Sequence, residues 1–313
     1  MADALGLYLV AVAAVTLCFV GALAYYEAAA APEQTIRKRG LTPRWVAAAF
    51  VAAVGTVVAF GFLGDVNAFA LGGDIRGFGL VAMLFGLSLL LGVLGIGAGH
   101  GQGRRWRRFH PDNDEPTGAV TPGRVACTGQ VTDAATATAP VTGREGCCWS
   151  WSVEVLDPYG ASAAGQREQW ATVAGGVGGV TFDIDDGSGP LAVEPTGATV
   201  DLAAERTLHL AADERPPDSF GTPDPDVERM HRDKPRRYTE TLLAPGDRAA
   251  VAGVAGRSDG GLVVAGDDTH VAVGSLATAA KRYRNRAVLY GFGGLVGVAV
   301  GLWGLAGLFG VGP

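Results

Sequence analysis

Lysine is almost missing from this 313-residue chain: Lys38, Lys234 and Lys281 are the three among 25 basic residues. A composition poor in lysine and rich in Arg, Ala, Gly and Asp looks like a GC-rich, prokaryotic genome and carries no mechanism. Cysteine is scarce as well. Cys18, Cys127, Cys147 and Cys148 form no C-x-x-C pair, which excludes a zinc ribbon and a thioredoxin-type site. The five histidines, His100, His110, His209, His231 and His270, are scattered without H-E-x-x-H spacing, and there is no Walker pattern. Neither a metal nor a cofactor is expected. The net charge is −6, and residues 101–287 hold all of it, with 26 acidic against 20 basic residues. A mildly acidic domain has no general attraction for nucleic acid, so none is expected as a partner.

Long apolar runs are what the chain does have. Leu5–Tyr26, Trp45–Leu63, Phe78–Ala98 and Val288–Gly310 contain no Asp, Lys or Arg and no Glu, and each is about the 20 residues a helix needs to cross the hydrocarbon core. Met1–Gly6 has no Lys or Arg and holds Asp3, so the first run reads as a retained helix rather than a signal peptide. Three basic clusters flank the runs: Arg37, Lys38, Arg39 and Arg44; Arg104, Arg105, Arg107 and Arg108; Lys281, Arg282, Arg284 and Arg286. In a four-span arrangement all three fall on one side, which the positive-inside rule makes cytoplasmic. The expectation is a multi-pass cell-membrane protein with both termini outside. Three helices lie in residues 1–100, residues 101–122 form a linker, a folded domain spans 123–275, and 276–313 form a helix leading into the fourth span. The lack of charge inside the spans argues against a transport path. Gly293-x-x-x-Gly297-x-x-x-Gly301 is a small-residue face suited to close helix packing, within the chain or in a homo-oligomer.

The folded domain reads as mainly β, a compact barrel or sandwich of roughly ten short strands. Arg124–Val131, Cys148–Leu156, Glu168–Val173, Val180–Ile184, Leu191–Val193, Thr199–Leu202 and Thr207–Leu210 come first. Tyr238–Leu243, Ala249–Val254, Leu262–Ala265 and Val271–Val273 follow a polar stretch with one short helix over Pro225–His231. In Cys148–Leu156 the alternation puts Trp149, Trp151, Val153 and Val155 on one face. The glycine-rich run Ala174-Gly175-Gly176-Val177-Gly178-Gly179 reads as a flexible hairpin loop, and Asp185-Asp186-Gly187-Ser188-Gly189 as a solvated turn rather than a calcium loop.

One resemblance runs through this domain. Gly129-Gln130-Val131, then Pro140-Val141-Thr142-Gly143, then Cys147-Cys148-Trp149 open it. Phe182-x-Ile184-x-Asp186 to Gly189, with Val193-x-Pro195 and Gly197-Ala198, continues it. Tyr238-Thr239-Glu240, then Gly246 and Val251-x-Gly253, close it. In order and spacing these resemble the GIDE domain, also called the BAM ("beside a membrane") domain, found in mitochondrial MULAN-type E3 ubiquitin ligases and in prokaryotic membrane proteins. The resemblance implies a β module held between membrane helices, with Cys147, Trp149, Asp186, Gly189, Pro195, Tyr238, Gly246 and Gly253 as its motif positions. The ligases depend on a RING with closely spaced Cys and His ligand pairs, which four scattered cysteines do not supply. The resemblance therefore implies no catalytic residue here.

The function expected is a membrane-anchored interaction or sensing module whose β domain binds a protein or lipid partner beside the cytoplasmic face. Trp149 and Trp151 are its candidate docking residues, since two indoles on one strand face can serve as an aromatic platform or as core. Cys147 could be a reactive thiol but has no activating base in view, and packing is the simpler role for it and for Cys127. Two alternatives stand beside this reading: a membrane subunit of a ubiquitin-like ligase system with its RING on another chain, and a regulated four-span transporter.

Overall fold

A computed structural model describes residues 75–132, 135–156, 170–202, 205–217, 220–221, 224–258 and 261–308, together with residues 46, 49, 51, 52 and 56. The first two expected spans, 5–26 and 45–63, lie outside the described residues but for those last five. The chain divides into two compact units, one of residues 1–29, 39–104 and 284–313, the other of residues 30–38 and 105–283.

In the first unit the described chain is helical. Helix α1 covers Ile75–Arg108. A later helix, α3, covers Leu276–Leu308 without a break, so the helix expected from 276 and the fourth apolar run are one element. Both are long and apolar enough to cross a membrane by length and composition. They pack backbone to backbone. A Cβ on Gly95 would sit 2.9 Å from the Gly294 Cα, one on Gly99 2.8 Å from the Gly291 N, and one on Gly301 2.8 Å from the Leu89 N. Gly297 and Gly301 of the expected row lie on this face, together with Gly294. Gly293 does not, and has open space around it, because a helix of 3.6 residues per turn keeps to one line by mixed steps of three and four rather than strict fours. The other side of α3 leaves Leu289, Phe292, Leu295 and Trp303 exposed, Trp303 by 80%.

The second unit is mainly β, with a short helix α2 at Pro225–Met230. Its strands are β1 Gly123–Val131, β2 Ala137–Thr138, β3 Glu145–Gly146, β4 Cys148–Leu156, β5 Trp170–Gly179, β6 Phe182–Asp185 and β7 Leu191–Val193, then β8 Thr199–Asp201, β9 Glu205–Leu210, β10 Arg236–Leu243, β11 Arg248–Ser258, β12 Gly261–Val264 and β13 His270–Val273. β1, β6, β7, β12 and β11 close on themselves, because β11 pairs with β1 as well as with β12. The long β1–β11 pair runs antiparallel from Gly123 opposite Ala255 to Gln130 opposite Arg248, and β12 joins β7 in parallel. Counting only these strands, the order is 1-2-3-5-4-1, that of a five-stranded Greek-key barrel of the OB type. Inward residues alternate along each strand, and Cys127, Phe182, Ile184, Val193, Val251 and Val264 fill it. The outward alanines Ala126, Ala250, Ala252 and Ala272 receive Phe109, Leu276, Ala279 and Tyr283; their small side chains let helices lie close against the strands.

Residues 101–122 are not a linker. α1 runs through Arg108, Phe109 is buried, and two 3-10 turns follow at Pro111–Asn113 and Thr117–Ala119. The second turn is tied to the 185–189 turn. Gly118 N–H donates to Ser188 Oγ at 2.9 Å, Asp186 N–H donates to Thr117 Oγ1 at 3.2 Å, and Ser188 N–H donates to Asp186 Oδ1 at 2.9 Å. A Cβ at Gly118 would run into the Ser188 carbonyl. A stretch whose polar groups find partners in this way is ordered by side chains that composition alone does not reveal.

The segments between barrel strands form a second, four-stranded antiparallel sheet in the order β5-β4-β10-β9. This sheet carries the expected docking residues.

Candidate functional site: the aromatic edge of the small sheet

β4 is held on one side by β10 and on the other by β5. Trp149 lies opposite Leu242 and Gly178, Trp151 opposite Glu240 and Gly176. Alternation puts both indoles and both glycines on one face. A Cβ on Gly178 would fall 2.8 Å from Trp149 Nε1, and one on Gly176 2.8 Å from Trp151 Nε1, with Cε2 and Cζ2 of each ring close behind. Each indole therefore lies across a glycine of β5 and covers the backbone that a missing side chain leaves bare, a cross-strand packing that stabilises glycine in sheets. Both tryptophans are half-buried. Trp151 also packs beside Val153, Tyr238 and Val141. The pair is neither a free platform nor a sealed core.

The Gly-rich run expected as a loop is thus a strand. Turn composition was outweighed by tertiary pairing: β4 supplies the ladder and two indoles supply the contacts that Gly176 and Gly178 lack. β5 is an edge of its sheet, and among the described residues nothing pairs with its outer side. From Ala171 to Gly179 it carries no charged residue and no proline. The opposite edge, β9, reads Glu205-Arg206-Thr207-Leu208-His209-Leu210, with the charged positions by which natural sheets protect their edges.

Beneath the aromatic pair the sheet is pinned by polar contacts. Glu240, 1% exposed, accepts from the backbone N–H of Val141 and of Thr142, each at 2.9 Å, and from the Thr142 hydroxyl. The Pro140–Gly143 motif is thereby a cradle for one carboxylate. The Tyr238 hydroxyl donates to Glu228 of α2, and the fully buried Arg236 holds the same carboxylate at 3.2 Å. Burial, with the bond to Glu228, pushes the Tyr238 phenol well up from its ordinary value. On the opposite face Arg237 sits 4.9 Å from the Trp170 ring centre and is ion-paired with Glu154, so its guanidinium is already engaged.

The other motif positions do not converge with Trp149. Cys147 and Pro195 are buried. Burial pushes the Cys147 thiol up to about 11 and the Cys127 thiol up to about 12, the wrong direction for a nucleophile. Asp186 and Gly189 make the turn against Thr117. Gly246 turns the chain at φ +87°, and a Cβ at Gly253 would meet the Val264 side chain at 2.7 Å. Among the described residues no group of three His, Cys, Asp or Glu could hold a metal ion. The run Gly256-Arg257-Ser258-Asp259-Gly260 has the G-x-S-x-G spacing of a serine nucleophile elbow. Ser258 ends β11 and pairs with Gly261 at the start of β12, so the next element is a strand and not the helix that such a serine needs.

No family model, curated protein or solved structure matches the chain.

Proposed function

We propose that this protein is a membrane-anchored interaction module, and that the outer edge of β5, roofed by Trp149 and Trp151, is where a partner strand docks. The observation that carries the reading is the contrast within one sheet: β9 is a charged edge and β5 an uncharged one of ten residues. An unprotected edge offers a row of backbone donors and acceptors, and neighbouring aromatic rings add apolar contact to an incoming strand. α1 and α3 would act as the anchor, within the four-span arrangement that places the β domain at the cytoplasmic face and both termini outside. The GIDE-type resemblance belongs to the same proposal, as a module beside the membrane and without ligase chemistry of its own. Fold alone assigns no ligand to an OB-type barrel.

The test is a photo-crosslinking residue placed in turn beside the two ends of β5, at Ala171 and at Thr181 two residues past its last residue, both exposed, with exposed Arg206 on β9 as the control. Irradiation of membranes carrying the full chain should give a polypeptide adduct from the β5 positions and none from Arg206. Trp149→Ala and Trp151→Ala should weaken the adduct. No adduct from either β5 position would remove the docking edge.

A further inference from the structure

The chemistry of the β5 edge selects its occupant. We infer that β5 pairs antiparallel with β5 of a second copy of this chain, about a two-fold axis at Val177; the inference rests on the docking-edge reading above. Gly175-Gly176-Val177-Gly178-Gly179 reads the same in both directions. Antiparallel pairing about Val177 sets Gly176 of one copy opposite Gly178 of the other and Gly175 opposite Gly179. Only Val177 then meets a side chain, that of its own counterpart. Such an interface is isologous and closes at two copies.

Three observations point to the same occupant. First, Ala171–Gly179 holds no charge, so two copies meet without like-charge repulsion, which a β9–β9 pair with its Arg and Glu would not escape so simply. Second, the indoles limit what lies next to them. Trp149 and Trp151 reach across Gly178 and Gly176 with Cζ2, toward the open edge. A strand entering there needs small residues on that face, and β5 itself presents Ala174, Gly176 and Gly178. In the two-fold pair four indoles would cover one glycine floor. Third, Gly175, Gly176 and Gly178 do not take a positive φ. The run is held extended at an entropic cost that glycine maximises, and this cost is offset when the ladder continues on the second side. Confinement of anchored copies to one membrane raises their effective concentration and favours such a pair.

The purified full chain is examined in nanodiscs and in detergent by mass photometry, with two substitutions that read the register. In the two-fold pair the Val177 Cα atoms stand about 5 Å apart, within disulfide range, whereas Thr172 is roughly 30 Å from its counterpart. Mild oxidation should convert Val177→Cys to a covalent dimer and leave Thr172→Cys monomeric on a denaturing gel. Gly175→Lys, at a position whose backbone is not in the left-handed region, should lose the dimer while the chain still melts in one transition. A wild-type chain that stays monomeric, or a dimer that survives Gly175→Lys, or a Val177→Cys chain without a covalent dimer overturns the inference. The two readings fail separately. A photo-adduct of another polypeptide keeps the docking edge and removes self-pairing, while no adduct at all removes both.

Discussion

Glu240 shows how one buried carboxylate fixes a loop. It is the only acceptor described for two backbone N–H groups of the Pro140–Gly143 turn, and a buried donor without a partner costs about 1–3 kcal/mol. Glu240→Ala should therefore destabilise the domain by about 2–4 kcal/mol, read as a lower thermal midpoint, with Glu240→Gln intermediate because its amide oxygen still accepts. Asp186 acts from the surface. Its bonds from Ser188 and Thr117 hold the carboxyl down at about 2, below the roughly 3.9 of an unfolded aspartate. A depressed folded value contributes stability that is present above about pH 4 and is lost as pH falls through about 2. The midpoint difference between wild type and Asp186→Asn should be largest near neutrality and shrink toward pH 2; a difference independent of pH would assign the turn to shape alone. The sequence shows Asp186 as a turn residue by composition, but not its partner Thr117, because nothing local links positions 69 residues apart.

At the scale of elements, two glycine sets are tested by neighbouring positions. A Cβ on Gly294 would lie 2.5 Å from the Ile96 N, while Gly293 has nothing within 4 Å. Gly294→Leu should separate α1 from α3 and lower the thermal midpoint in detergent; Gly293→Leu should not. In the small sheet, Gly176→Val would displace the Trp151 indole. Overpacking of this kind costs about 1–3 kcal/mol, and tryptophan emission should shift to longer wavelength as the ring moves into water. Unshifted emission would mean that the ring is not seated on Gly176. The α1 and α3 helices are legible from hydropathy because their apolar character is continuous along the chain. β5 is not, since glycine punctuation resembles a loop until Trp149 and Trp151 are seen to cover it. The 101–122 stretch misleads as well: Asp114 accepts from the Thr128 N–H of β1, Asn113 donates to the Arg107 carbonyl at the end of α1, and Thr117 bonds the 185–189 turn, contacts that composition does not show.

For the whole molecule, mainly-β character and most strand positions follow from alternation, and the choice between barrel and sandwich does not. Closure depends on β11 being long enough to pair with β1 on one side and with β12 and β13 on the other, a choice of partners that no local pattern encodes. Closure also seals the thiols. Cys127, Cys147 and Cys148 are buried, and a maleimide should leave all three unlabelled in the native chain at pH 7 to 8 and reach them once denaturant opens the domain. Labelling of Cys147 in the native state would give it back a chemical role.

The β1–β11 pair sets the order in which the molecule can be made. Gly123 waits for Ala255, so the barrel has no closing partner until nearly the whole domain has left the ribosome. α1 is synthesised well before that, and α3 begins three residues after β13 ends. Folding of the β domain and delivery of the last helix thus fall in the same interval of synthesis. Pairings so distant in sequence form slowly, and during that delay the bare edge of β5 is open to whatever nascent strand lies nearest.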